Sequence, residues 1–395
     1  MLLLTPKGET ATDPLKPTRQ AISRAVDFLR QAQQPDGSFV YYQCRDETMA
    51  DCERFCSPPS QRWTPYAPIF SAVPTAEILT SLLAVEDPRA AAVLEKGAQF
   101  VKAQVDENGL CGFYPMVEPE AGPQCIGEFR QLYATVVNRS LLETFGLSLP
   151  PILPALLTYQ RADGAFYPFF IPPAEVEAIT SGGPAQERFR QRYEEMMRYH
   201  GPKMLQRMDA VDPLTNAMVF AYLVQQGQVP TALCEYLVQV VQQAQVPVHP
   251  AYIRNPFLLP HAISRAYAQG ASCLEPAKVV LRPRLLQQQR SDGSWGSALD
   301  TALAMTSLLH FGDDGPALDA AVQFLLDQQQ SDGSWKRAVW WVILQWRVRS
   351  SDGWLASEEI STGYVLETLG IYGNRSEGAT GRNALMSGSS RSGVL

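Results

Sequence analysis

The chain has 395 residues, of which 46% are hydrophobic and 18% charged, with a net charge of −7. That composition supports a large buried core and excludes global disorder. The acidic balance lacks the basic footprint that phosphate backbones need, which excludes nucleic acid as a partner, and no apolar run reaches the roughly 18 residues of a membrane span.

Taken in chain order, residues 1–17 read as a polar tail after three leucines, too short for a signal-peptide core of about 7–15 apolar residues. The expectation is a cytoplasmic protein, and the seven cysteines, an odd number, are then mostly free thiols. A helix begins near residue 18, with Ala25, Phe28 and Leu29 at helical spacing. It ends in QQPDGSF, Gln33 to Phe39. A long loop over 40–70 follows, and then an Ala/Thr/Leu-rich helix from Val73, VPTAEILTSLLAV.

That pattern repeats. A helix near 88 ends in a degenerate phrase, QVDENGLCGF, and a loop over 108–130 leads to LYATVVNRSLLETFG from Leu132. A helix near 149 ends in QRADGAF, Gln160 to Phe166, and the next apolar helix is VDPLTNAMVFAYLVQQG from Val211. Between them lies an insertion, 172–207, in which QERFRQRYEEMMRYH predicts a short helix. Its Arg188, Arg190, Arg192, Arg198, Lys203 and Arg207 would suit a diphosphate, while Glu187, Glu194 and Glu195 between them suit a solvated face. Helices near 230, 275 and 315 alternate with NPFLLPHAISRAYAQG from Asn255, LDTALAMTSLLHFG from Leu299 and ISTGYVLETLGIYG from Ile360. Two more copies of the phrase occur here: QRSDGSW, Gln289 to Trp295, and QQSDGSW, Gln329 to Trp335. Residues 375–395 read as a disordered tail.

In each phrase Asp caps a turn and Gly supplies a positive φ. The Gln lies in the last helical turn, where its amide can bond free backbone groups, and the aromatic can fold back on the helix end. Six outer and six inner helices alternate strictly, and the inner ones are apolar nearly all round. Six such hairpins bury one another's faces if they close into a ring, so the fold is predicted as all-α, with no substantial sheet. The long loops all precede inner helices, so functional residues are expected at that rim.

The QxxDGxW phrase followed by a DTALA-type helix resembles the QW repeats of squalene–hopene cyclases, oxidosqualene cyclases and class II diterpene cyclases, the prenyltransferase/squalene oxidase repeat group. The resemblance covers about residues 18–374 and implies one (α/α)6 toroid, a terpenoid-cyclase-like domain. It extends to complement thioester domains and to prenyltransferase β subunits. The nearest match to the thioester stretch is QCIGEF at Gln124, and no Asp-x-Cys with a later His matches the zinc pattern of the β subunits. The cyclases imply a linear isoprenoid substrate and acid-initiated, class II cyclisation or isomerisation. They imply no cofactor, with Mg2+ called for only by a diphosphate substrate.

The family's proton donor lies in a DxDD motif at the start of an inner helix. Its partial counterparts here are Asp212 with Asp209, in MDAVDPLTNAMV, and Asp300, in SALDTALA. Each also reads as a helix cap. Asn216, one turn on from Asp212, is expected on the cavity side. Aromatic walls would stabilise carbocations, and Trp63, Tyr133, Phe257, Trp341 and Tyr364 are the candidates, with Arg207 for a substrate anion. AVWWVILQWRV, Ala338 to Val348, reads as an entrance touching a membrane or as a buried strand-like or helical cover. The cysteine spacing around Cys44, Cys52, Cys56, Cys111 and Cys125 is too wide for the usual paired zinc ligands, so no metal site is expected. The alternative function is a non-catalytic isoprenoid- or lipid-binding protein that kept the toroid and lost the acid motif. A third reading is a structural interaction module.

Overall fold

The expected alternation of helices forms in full. The computed structural model describes residues 13–44, 52–53, 69–70, 72–112, 130–171, 173–184, 186–188, 210–243, 252–343 and 353–388. Six hairpins follow one another: α1 (Lys16–Ala32) with α2 (Ala72–Leu82), α3 (Pro88–Ala103) with α4 (Leu132–Thr144), and α5 (Leu153–Thr158) with α7 (Pro213–Gln225). Then come α8 (Thr231–Gln242) with α9 (Leu258–Ala268), α10 (Glu275–Gln288) with α11 (Ala298–His310), and α12 (Pro316–Asp327) with α13 (Glu358–Gly388). The insertion contributes α6 (Pro173–Thr180), and the rest of it past residue 188 lies outside the described residues. Pro starts α3, α7 and α12, where its missing N–H costs nothing and its φ suits the first turn.

The second helix of each hairpin is the inner one. Along α2, α7 and α11 almost every residue is buried. These helices pack in the order α2, α4, α7, α9, α11, α13, and α13 returns to α2. Gly363 and Gly370 of α13 allow that last approach: a Cβ on them would lie 3.3 Å from Ile78 Cα and 2.4 Å from the Ala84 carbonyl oxygen.

Each repeated phrase ties one outer helix to the next. The Gln amide donates to the carbonyl of its own turn and to the neighbouring outer helix: Gln33 to Gly37 and Val93, Gln289 to Gly293 and Ala317, Gln329 to Gly333 and Ala21. The Asp accepts the backbone N–H two residues on, at Asp36, Asp163, Asp292 and Asp332. The aromatics Phe39, Phe166, Trp295 and Trp335 are buried. Both tryptophan indoles donate 2.7 Å bonds back to their own outer helix, to Leu285 and Leu325. The backbone N–H of the residue after the turn is then taken by the next inner helix. Thr75, Thr135, Asn216, Thr301 and Thr362 accept it from Phe39, Cys111, Phe166, Trp295 and Trp335. The last copy closes the ring, because Gln329 reaches α1 at Ala21 and also accepts from Arg24.

The structure departs from the all-helical expectation at one end. Six strands form an antiparallel sheet: β1 (Val40–Cys44), β2 (Cys52–Glu53), β3 (Ile69–Phe70), β4 (Tyr252–Arg254), β5 (Trp341–Ile343) and β6 (Gly353–Ala356). The order is β2-β1-β6-β5-β4, with β3 also paired to β1. Strands β3, β4 and β6 run directly into α2, α9 and α13, so the sheet covers the end where inner helices begin. Their content of β-branched and aromatic residues suits extended backbone. Of the readings for Ala338–Val348, the strand-like cover is the one that forms, with Trp340, Trp341 and Val342 buried. Residues 344–348 lie outside the described residues.

Helix α13 runs to Gly388. The expectation of mostly free thiols is corrected. Cys234 and Cys273 form a disulfide that joins α8 to a 3-10 turn, Ser272–Leu274, and Cys44 is also disulfide-bonded. Among the described residues Cys111 is a free, buried thiol. Among the described residues no helix is long and apolar enough to cross a membrane, and no group of three or more His, Cys, Asp and Glu could hold a metal.

Candidate functional site

The residues expected to carry chemistry divide into two groups. Asp212 is the N-cap of α7: its Oδ2 accepts from Thr215 N at 2.8 Å and from the Thr215 hydroxyl. Asp300 sits at the third position of α11 in a capping box with Ser297, and its Oδ1 accepts a 2.5 Å bond from Asn255 Nδ2. Both carboxylates therefore serve helix ends. Asn216 is bonded at both ends of its amide. Its Oδ1 accepts from Phe166 N, and its Nδ2 donates to Phe166 O and Asp212 O. Phe257 precedes α9 and packs in the core at 8% exposure. Trp63, Arg207 and Asp209 lie outside the described residues.

Tyr133, Trp341 and Tyr364 are brought together, and by a residue that sequence reading passed over. Glu77 lies in the middle of α2 and is only 3% exposed. It accepts a 2.9 Å bond from Tyr133 OH on α4 and a 3.0 Å bond from Tyr364 OH on α13. The Tyr133 ring meets Trp341 edge-on at 5.1 Å, and Trp341 meets Trp340 at 5.4 Å. Tyr364 meets the His261 ring edge-on at 5.4 Å.

A second carboxylate continues the cluster. Glu367, one turn beyond Tyr364 on α13, accepts from Arg265 at 2.7 Å and lies 3.2 Å from His261 Nε2. Burial alone would raise the Glu367 pKa, but the Arg265 and His261 charges outweigh it and hold the carboxyl well below the usual range. Arg265 stays charged against its own burial because Glu367 and Glu77 face it. Burial, then the charges of Glu77 and Tyr133, push the Tyr364 phenol well above its ordinary value, so it remains a donor. His310, bonded to Ser264 at 3.2 Å, is pushed down to about 3 by burial and is neutral. The inner helices α2, α4, α9, α11 and α13 thus surround a chain of ionised and phenolic groups.

A sequence signal for this chain exists. Charged side chains are almost never fully buried unless paired, and α2, α9 and α13 each carry a charged residue within a mostly buried stretch: Glu77, Arg265 and Glu367. The pairing itself needed the ring.

No family model and no curated protein matches the chain. Solved structures do. A protein from Actinoplanes is 18% identical, with 90% of this chain and 99% of that one aligned at TM-score 0.61. The type II terpene cyclase MstE from Scytonema, without ligand, is 14% identical over 91% of this chain and 98% of its own at TM-score 0.60. An MstE variant in complex with its substrate, geranylgeranyl dihydroxybenzoate, is 16% identical over 90% and 97% at TM-score 0.59. The fold is terpene-cyclase-like. At these identities the likeness establishes the toroid and leaves the chemistry to the residues.

Proposed function

We propose that the protein binds a linear isoprenoid within its ring and cyclises or isomerises it by an acid-initiated, class II-type reaction. The observation that carries this reading is the buried Glu77–Tyr133–Tyr364 group inside a toroid that aligns end to end with a type II terpene cyclase. A carbocation formed from a polyene needs negative charge and aromatic faces without nucleophilic water. The Glu77 carboxyl bonded to Tyr133 and Tyr364, with Trp341 against the Tyr133 ring, supplies both, through charge attraction and cation–π attraction. An acid-initiated ring closure is a redox-neutral isomerisation and calls for no cofactor, and a diphosphate-bearing substrate would add Mg2+ as counter-ion. Asp212 and Asp300 remain in the proposal as carboxyls to be tested, and Asp209 with them.

A second reading is favoured by one observation. Asp212 and Asp300, the remnants of the acid motif, are both used as caps. A non-catalytic isoprenoid-binding protein would look the same there.

The test uses the full chain with squalene, geranylgeranyl diphosphate and geranylgeranyl dihydroxybenzoate. Product analysis is expected to find cyclic isomers of at least one. Glu77→Gln is expected to lower kcat by roughly 100-fold, the scale of a lost transition-state electrostatic contact. Binding in a Tyr/Trp fluorescence titration without any product selects the second reading. Neither binding nor product removes both.

A further inference from the structure

Glu359 is the second residue of α13, at the end of the ring that the sheet covers, and is 7% exposed. Its Oε2 has no hydrogen-bond partner among the described residues. The same holds for the fully buried Ser361 hydroxyl and for the fully buried Trp340 indole N–H. Trp340 is held there by its backbone N–H to Leu355 O in β6, three residues before α13. Buried polar atoms are almost always bonded, and leaving one bare costs free energy. A Glu359 oxygen left bare at 7% exposure is a buried carboxyl atom that no described side chain engages.

The charges around Glu359 leave it uncompensated. Arg337 donates to Glu358 at 2.9 Å, and its guanidinium lies 5.0 Å from the Tyr42 ring centroid on β1. That guanidinium is thus engaged by Glu358, while Glu358 itself repels a second negative charge. Ser357 offers a hydrogen bond from the loop before the helix. Burial pushes the Glu359 carboxyl up to about 7, with the Glu358 charge adding, against the smaller lowering effects of its own backbone N–H, of Ser357 and of Arg337. Deeper in the ring Glu367 is held fully ionised. Two carboxyl environments driven in opposite directions are the mark of an acid and an anion with separate tasks.

We propose that Glu359 is the proton donor of the cyclisation, an inference that rests on the isoprenoid reading above. Its Oε2–H bond breaks while an alkene π pair takes the proton and forms a C–H bond. A tertiary carbocation and the Glu359 carboxylate remain. Each ring closure consumes the π pair of the next alkene. Loss of a proton from the last cation to water ends the sequence, and solvent reprotonates Glu359. Substrate and product are isomers, so no oxidant or reductant enters. The acid form is the active one, so turnover is present below pH about 7 and lost as pH rises through it.

The experiment compares wild type, Glu359→Gln and Glu359→Asp on the same three isoprenoids, in D2O and H2O, with stability measured at pH 5 and pH 8. Expected are a kcat loss of roughly 100-fold or more in Glu359→Gln with unchanged ligand affinity, and one deuterium per product molecule in wild type. Glu359→Asp restores part of the rate with a displaced alkaline limb. Glu359→Gln is also expected to melt higher than wild type at pH 8 and not at pH 5, because it removes a buried charge. A carboxyl with a merely structural role would do the reverse. Turnover within twofold of wild type in Glu359→Gln overturns the assignment, as does a lower melting point at pH 8. Wild type that binds an isoprenoid and converts none overturns Glu359 as donor but keeps the binding reading. Wild type that binds none overturns that reading and this assignment together.

Discussion

Single residues in this chain carry their meaning through burial. Asp212 is only 3% exposed, yet a helix N-terminus supplies the donors its carboxyl needs. Asp212→Ala is expected to cost about 1–2 kcal/mol, the value of a good N-cap, and Asp212→Asn a few tenths. Urea unfolding of the two variants checks this, and equal losses would remove the cap from the account. Glu77 has the same burial and the opposite setting: its partners come from two other inner helices. Asp before Pro is visible in the sequence as a cap. What Glu77 bonds is not visible, since Tyr364 lies 287 residues away.

At the scale of elements, the repeated phrase is a fastener whose every position has a neighbour. Gly333 has φ +93°, and a Cβ there would sit 2.4 Å from the Arg24 carbonyl oxygen on α1. Gly270 has φ +105° with nothing within 4 Å of such a Cβ. Gly270→Ala therefore reports the backbone strain alone, about 1 kcal/mol, whereas Gly333→Ala adds a clash at the ring closure and is expected to cost on the order of 3 kcal/mol. Thermal unfolding of both variants separates the two contributions. The phrase was legible because it is local: Gln, Asp, Gly and aromatic act within seven residues. The sheet was not. Its strands are two to five residues long and pair across loops from three different hairpins, so no segment contains enough of a strand to announce one.

The whole molecule is held by closure. Inner helices α13 and α2 meet, and Gln329 on the last turn bonds Ala21 on the first outer helix. The Cys234–Cys273 disulfide spans a sequence separation of 39 residues and braces α8 against the start of α10. The double variant Cys234→Ser/Cys273→Ser is expected to lose about 3 kcal/mol while keeping its far-ultraviolet circular dichroism, since no helix depends on the bridge for its own hydrogen bonds. Denaturant titration measures it. By itself the sequence determined the alternation of outer and inner helices, the turn that joins them and the end at which the loops gather. These follow from hydrophobic period and turn chemistry, which act over a few residues. Only the tertiary structure decided that Glu77 and Glu367 meet their partners inside the ring, and that Glu359 is buried with an oxygen to spare. Those outcomes depend on which side chains of distant helices converge once water is excluded, and no local rule encodes that.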